Sequence, residues 1–231
     1  MAIPPFLAMT AAEIRGSFLL PPKIGWMACH FSPYSVGLSN LPRSLPPGSL
    51  LILNDITPIH GHNPEVVADQ VRDCVTAFGC SGVLLDFQRK AVEETAAMAA
   101  HLTEVLPCPV ALSEVYAAPL ACPVFLSPLP HHIPLEDWLA PWKGREVWLE
   151  IGMDAEEILL TESGAAIRPI PHFEAESGFQ DEALHCHYRI DRQEDSVQFT
   201  LWRTREDVDA LLEEAEVLGI TTAVGLYQQF R

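Results

Sequence analysis

Basic residues are scarce in this chain. Its 231 residues include 14 Lys and Arg against 31 Asp and Glu, which gives a formal net charge of −17 at pH 7. A chain this acidic repels phosphate backbones and anionic lipids, so we expect no nucleic-acid partner and no membrane partner. No apolar run approaches the roughly 20 residues that cross a bilayer. Residues 1–7 hold no basic residue ahead of their short apolar patch, which argues against a signal peptide.

Paired cysteine motifs and glycine-rich loops are absent as well. None of the six cysteines belongs to a Cys-x-x-Cys pair and most stand in apolar segments, so we expect buried free thiols in a reducing compartment such as the cytoplasm. A zinc site at His185-Cys186-His187, or at His60 and His62, would require a second ligand pair that neither cluster has. No Gly-x-Gly-x-x-Gly or Gly-x₄-Gly-Lys-Ser/Thr loop occurs. The sequence therefore predicts no metal and no nucleotide cofactor.

Apolar runs alternate with helix-period segments along the chain. Hydrophobic residues make up 48% of it, enough for one substantial core. Seven apolar runs predict strands that are buried on both faces: 23–30, 49–56, 82–87, 110–116, 123–126, 146–151 and 221–227. Between several of these runs the apolar residues recur at three- and four-residue spacing, which predicts helices over 64–78, 93–106, 135–142 and 205–218.

This order of elements predicts a parallel sheet with helices outside it. The fold class we expect is α/β, with 1–231 forming a single-domain (β/α)₈ TIM barrel in which one unit is missing or degenerate. An open, doubly wound sheet is the alternative. The connection between Tyr116 and Val124 is short for a crossover helix in either topology. From 154 to 202 the apolar period falls to two, which predicts β-hairpins inserted into the domain.

Polar and aromatic side chains stand where the predicted strands end. In a parallel barrel, those carboxyl ends carry the groups that contact ligands. Carboxylates that accept from hydroxyls, and aromatic rings that stack on C–H faces, suit a sugar ring. The strand ends supply His30, Asn54, Asp55, Asp86, Gln88, Glu114, Tyr116, Ser127, Glu150, Tyr227 and Gln228. The residues we expect to bind a carbohydrate or other small-molecule ligand are Trp26, on the first predicted strand, with Asp55, Tyr116, Glu150 and Tyr227.

Two stretches of the sequence resemble a known enzyme family. Ser81-Gly82-Val83-Leu84-Leu85-Asp86-Phe87-Gln88 resembles the fourth-strand motif of the family-eighteen glycoside hydrolases, the chitinase-like TIM barrels, usually written Asp-Gly-x-Asp-x-Asp-x-Glu. The stretch from Tyr188 through Trp202 to Tyr227 is similar to the end of the spore-hydrolase-like members. There the family has a hairpin ending in Trp, a helix, and a strand that closes with an aromatic residue under the sugar.

The departures from the family motif bear on catalysis. The resemblance places the substrate-orienting Asp on Asp86, but it places the catalytic acid on Gln88, an amide that has no proton to release. The other acidic motif positions are Ser81 and Leu84, so the charge network that tunes the acid is lost too. Loss of general-acid assistance costs about 10²–10⁴-fold in rate. We therefore expect a degenerate member, a pseudoenzyme that binds a carbohydrate without efficient hydrolysis.

An active glycosidase with a relocated carboxylate pair is the second hypothesis. Asp86 would then work with Glu114 from the next predicted strand, and Glu150 is a more remote candidate. Neighbouring strands lie roughly 4.8 Å apart, which would bring two inward carboxyl groups near the ~5–5.5 Å separation of retaining glycosidases. One of the two would need a raised pKa to act as the acid.

Overall fold

The structure is a computed structural model that describes residues 3–170, 173–174 and 177–231. Its strands are β1 (Phe6–Met9), β2 (Ile24–Phe31), β3 (Leu38–Ser39), β4 (Leu50–Asn54), β5 (Gly82–Asp86), β6 (Val110–Ser113), β7 (Val124–Leu126), β8 (Val147–Ile151), β9 (Ala155–Thr161), β10 (Gly164–Ile170), β11 (Phe179–Asp181), β12 (Cys186–Arg192), β13 (Ser196–Trp202) and β14 (Thr222–Leu226). Its α-helices are α1 (Ala11–Gly16), α2 (Pro64–Phe78), α3 (Glu93–Val105), α4 (Glu114–Ala117), α5 (Leu135–Leu139), α6 (Arg205–Val217) and α7 (Tyr227–Phe230), and a 3₁₀ turn covers Ala140–Trp142.

Eight of these strands form a closed parallel barrel, in the order β1, β2, β4, β5, β6, β7, β8 and β14. Closure is direct, because Phe6 of β1 pairs with Val224 of β14 and β1 also pairs with β2. The predicted TIM barrel is confirmed, and the open sheet is excluded. The unit that the sequence pattern left out is β1, a run of only four residues directly after Pro4 and Pro5.

Every second side chain along a barrel strand points inward. The buried residues of this inner face are Phe6, Ala8, Leu50, Ile52, Leu84, Ala111, Phe125, Trp148 and Val224. Trp148 occupies space that Gly82 leaves open, since a Cβ on Gly82 would lie 2.8 Å from the Trp148 ring. The same alternation directs the next inward positions of four strands to the carboxyl end of the barrel: Asn54, Asp86, Ser113 and Glu150.

The longer helices cover the outside of the barrel with one apolar face. Asn63 caps α2 by accepting from the backbone N–H of Glu65 at 3.0 Å, and Gly79 ends the helix with a φ of 60°. At α6, Thr204 and Asp207 form the reciprocal capping box. The residues that α2 buries are Val67, Ala68, Val71, Cys74 and Val75, and those that α6 buries are Asp207, Val208, Leu211, Leu212 and Ala215.

The short connection after β6 is made by a single helical turn. The sequence predicts a strand as far as Tyr116, but β6 ends at Ser113 and the four residues of α4 follow at once. This part of the prediction is wrong, because an apolar run of this length does not distinguish a strand from a buried helical turn. Glu114 and Tyr116 therefore project from a helix at the rim of the barrel instead of from a strand.

A second, antiparallel sheet of five strands lies between β8 and α6 in the chain, in the order β10, β9, β13, β12 and β11. It follows the carboxyl end of β8, and its central pairing aligns Phe199 with Ile158. The hairpins predicted for 154–202 are thus present as one sheet. Glu156 of β9 joins this sheet to the loop after β7: it accepts from the His131 backbone N–H at 3.1 Å and lies 2.9 Å from Nδ1 of His132.

The six thiols are free, and five of them are buried. Burial raises the pKa of Cys80 to about 11 and that of Cys186 to about 12, so both stay protonated at neutral pH. Within the described ranges, no group of three His, Cys, Asp or Glu side chains is arranged to hold a metal ion. No helix in the same ranges has the length and apolarity needed to span a membrane.

Candidate functional site

A pocket of about 400 Å³ lies at the carboxyl end of the barrel, between the ends of β5, β6, β7 and β8. An adjoining pocket of about 420 Å³ reaches across to the end of β4 and shares Asp86, Gln88 and Arg89 with the first. Six of the eight predicted site residues line one or both of these pockets: Asp55, Asp86, Gln88, Glu114, Tyr116 and Glu150.

Asp86 and Gln88 are paired to each other at the end of β5. The Gln88 side chain donates from Nε2 to Asp86 Oδ1 at 3.0 Å. Burial raises the pKa of Asp86, the bond from Gln88 lowers it in part, and the charge of Asp55 raises it again, so the overall shift is upward. Gln88 is exposed at the pocket surface, where its amide can reach a ligand.

Asp55 has a structural role that its sequence position did not indicate. Its two carboxylate oxygens accept from the backbone N–H groups of Gln88 at 2.9 Å and Arg89 at 3.0 Å. The side chain of Arg89 returns the contact by donating to the carbonyl oxygens of Asp55 and Ile56, both at 2.7 Å. Asp55 is buried and each of its carboxylate oxygens accepts one of these bonds, so it fixes the loop after β5.

Glu150 lies across the barrel from Asp86, on β8. Burial raises its pKa to about 7, and the nearby charges of Asp86 and Asp154 act in the same direction. At neutral pH this carboxyl group is therefore protonated in a large fraction of molecules. Glu114 stands at the start of α4 and lines the same pocket, so the structure brings three carboxyl groups to one cavity.

Tyr116 forms a wall of the pocket and offers no open stacking face. Only 4% of the residue is exposed. Its ring meets Phe87 edge-on, with centroids 5.8 Å apart, and its hydroxyl donates to the carbonyl of Arg89 at 3.5 Å. The role expected of it as a sugar-stacking aromatic does not fit this burial.

Trp26 and Tyr227 lie apart from the pocket. On β2, Met27 packs against the inner face, so Trp26 points outward and packs in the outer core, where its indole N–H donates to the carbonyl of Asn40 at 2.9 Å. Tyr227 begins α7, and its hydroxyl lies 3.3 Å from Oγ of Ser17. The sequence places both residues near strand ends, but it does not reveal which way their side chains point.

Several residues of the pocket do not stand out in the sequence, among them Arg89, Ser113 and Phe125. Arg89 follows Gln88 directly, Ser113 is the inward position after Ala111, and Phe125 is the inward position of β7. Ser113 donates from its hydroxyl to the carbonyl of Phe87 at 3.1 Å and so fixes the strand end next to the pocket. The period of two along each barrel strand is the signal that would have identified Ser113 and Phe125.

Comparison with known proteins supports the fold. No family model matches the sequence, and no curated protein matches it. The crystal structure of the Bacillus cereus spore cortex-lytic enzyme SleL is similar, with a TM-score of 0.57 at 8% identity, over 96% of this chain and 70% of that chain. The chain is also similar to ydhD of Bacillus subtilis, a proposed sporulation-specific glycosylase, with a TM-score of 0.47 at 10% identity over 76% and 79% of the two chains.

A second spore cortex-lytic enzyme SleL, from Bacillus megaterium QM B1551, matches with a TM-score of 0.44 at 12% identity over 77% of this chain and 55% of that chain. At such low identities, a shared fold carries no residue roles from one protein to another. The likeness to the Bacillus cereus enzyme therefore establishes the barrel architecture, and any functional conclusion rests on the pocket itself.

Proposed function

We propose that this barrel binds a carbohydrate in the pocket at its carboxyl end and does not hydrolyse it efficiently. The observation that carries the proposal is the pair formed by Asp86 and Gln88 in that pocket. These two residues occupy the positions at which the family-eighteen motif, which the β5 segment resembles, has its substrate-orienting Asp and its catalytic Glu. The location also fits, because ligands of parallel barrels bind at the carboxyl ends of the strands.

The same pair argues against turnover by the family-eighteen route. A glycosidic oxygen must receive a proton as its bond breaks, and an amide side chain holds its protons at any accessible pH. Gln88 still donates a hydrogen bond, which suits it to holding a sugar hydroxyl or carbonyl oxygen. We therefore propose that the chain is a degenerate, binding-only relative of the chitinase-like barrels.

Calorimetric titration with N-acetylglucosamine and glucosamine oligosaccharides tests the binding function. We expect saturable binding of at least one of these sugars, weakened about tenfold or more in Gln88→Ala because a hydrogen bond to the ligand is lost. Gln193→Ala is the matched control, since Gln193 is exposed and lies in the loop between β12 and β13. Absence of binding to every oligosaccharide of both series would refute the proposal.

A glycosidase with relocated carboxylates is the second candidate function. It is favoured by one specific observation, that Asp86 and Glu114 line the same pocket. Turnover of aryl glycosides that disappears in Glu114→Gln, in a variant that still binds the oligosaccharide, would support the enzyme. Binding without turnover in the unmodified chain would support the binding-only function.

A further inference from the structure

The polar side chains around the pocket differ in how many hydrogen bonds they make within the protein. Asp55 accepts from two backbone N–H groups, and Asp86 accepts from Gln88. Arg89, the single basic residue that lines the pocket in the described part of the chain, directs Nε and Nη2 to carbonyl oxygens. The side chain of Glu150, unlike its backbone, has neither a hydrogen-bond nor an ion-pair partner within 3–170, 173–174 and 177–231. It is therefore a carboxyl group that is free to contact a ligand in the pocket.

The position of Glu150 is fixed by the strand that carries it. It comes two residues after Trp148 on β8, and Trp148 belongs to the inner face of the barrel. The alternation of a strand then directs Glu150 inward as well. The neighbouring strand β7 and the residue after its end contribute Phe125 and Ser127 to the pocket, and neither side chain is charged at neutral pH.

The charged groups that face Glu150 are mainly acidic. Asp86 on β5 and Asp154 beyond the end of β8 both act on it as negative charges, and Glu114 of α4 lines the same pocket. Arg89 stands on the loop after β5, with its donors turned to backbone carbonyls. A half-buried carboxylate among other carboxylates, with no ion-pair partner in the described part of the chain, is costly for the protein to ionise. A positively charged ligand group would remove that cost.

We propose that Glu150 is the specificity-determining residue of this pocket, and that it favours sugars with a free amino group over their N-acetylated counterparts. This rests on the carbohydrate-binding function proposed above. An ammonium group donates charge-assisted hydrogen bonds to a carboxylate and balances its charge. An N-acetyl group is neutral and offers a single amide N–H, so it gains less from the same carboxylates.

Binding of an amino sugar is coupled to the release of a proton. Burial and the charges of Asp86 and Asp154 raise the pKa of Glu150 to about 7, so near pH 6 the empty pocket holds this carboxyl group mostly protonated. An ammonium ligand stabilises the ionised form, and the proton of Glu150 then passes to the buffer. An N-acetylated sugar carries no charge and leaves the proton on Glu150.

The experiment is calorimetric titration near pH 6 with the trisaccharides of glucosamine and N-acetylglucosamine, in two buffers of different ionisation enthalpy. For the unmodified chain we expect the amino sugar to bind about tenfold more tightly, as one charge-assisted hydrogen bond implies, and to release a proton. Glu150→Gln is expected to abolish both the preference and the proton release. Glu213→Gln, at an exposed position of α6, is the matched control and should keep both.

Each outcome bears on a different conclusion. Equal or tighter binding of the N-acetylated sugar would overturn the role of Glu150 and leave carbohydrate binding intact, whereas binding of neither sugar would overturn both. Proton release that persists in Glu150→Gln would assign the proton to another group and also contradict the proposal. A second measurement needs no variant: the amino sugar should bind the unmodified chain more tightly at pH 7 than at pH 5, and an unchanged affinity would refute the proposal.

Discussion

The side-chain amide of Gln88 donates a hydrogen bond to Asp86 Oδ1 across 3.0 Å, at the carboxyl end of β5. The donor keeps its protons and the acceptor is a carboxyl group whose pKa is raised by burial. The pair can therefore hold an oxygen-rich ligand, but the amide of Gln88 cannot transfer a proton to a leaving oxygen. This relationship is the basis of the binding function proposed above.

A carboxylic acid in place of the Gln88 amide should create weak hydrolysis. Gln88→Glu puts a second carboxyl group beside Asp86, and two such groups share a proton because both cannot ionise easily at this distance. We expect slow cleavage of N-acetylglucosamine oligosaccharides, detected by chromatography of the products, where the unmodified chain gives none. Gln193→Glu is the control. A folded Gln88→Glu variant that stays inactive on these oligosaccharides would contradict the match to the family-eighteen motif.

Removing the carboxylate of Asp55 should destabilise the loop that carries Gln88. Asp55→Ala leaves the backbone N–H groups of Gln88 and Arg89 without their acceptors, and hydrogen bonds to a charged group contribute about 1.5–3 kcal/mol each. We expect the free energy of unfolding in urea to fall by roughly 3–6 kcal/mol. Asp137→Ala, at an exposed position of α5, should change it little. A loss for Asp55→Ala no larger than for this control would show that the contact is not a structural one.

The inner packing of the barrel gives a steric prediction. Gly82→Ala places a Cβ 2.8 Å from the Trp148 ring and 3.1 Å from the carbonyl oxygen of Pro109. Overpacking of this kind costs about 1–3 kcal/mol, which should appear as a lower midpoint in thermal unfolding. Gly16→Ala is the matched control, since nothing lies within 4 Å of a Cβ at that position. If both variants unfold at the same temperature, Trp148 does not occupy the space beside Gly82.

Glu150 should make the barrel less stable as pH rises. Its pKa is raised by burial from 4.5 to about 7, so the folded state binds a proton that the unfolded state has already released, and that stabilisation is lost as pH rises from about 4.5 to 7. Glu150→Gln removes this dependence. We expect the variant to gain roughly 3 kcal/mol over the unmodified chain at pH 8 and nothing at pH 4. If the free energy of unfolding changes with pH in the same way for the two proteins, the raised pKa of Glu150 is contradicted.

Which strands form was largely predictable from the sequence, because buried strands of a parallel barrel are nearly continuous apolar runs. Seven of the eight barrel strands carry such a run. The exception is β1, whose four residues are too few to stand out, and whose place is set by pairing with both β2 and β14. The alternative of an open sheet could not be decided along the chain, since closure is a contact between its two ends.

The candidate site, like the fold, was predictable from the sequence only in part. The sequence by itself determined that Asp86 and Gln88 stand at a strand end, and that the second of them is an amide with no proton to give. Only the tertiary structure decided that Trp26 faces outward and that the Asp55 carboxylate accepts from two backbone N–H groups. It also decided that the Glu150 side chain lies among acidic residues with no hydrogen-bond partner in the described part of the chain. The physical reason is that side-chain chemistry is local, whereas direction, burial and pKa depend on neighbours that the chain brings together from distant positions.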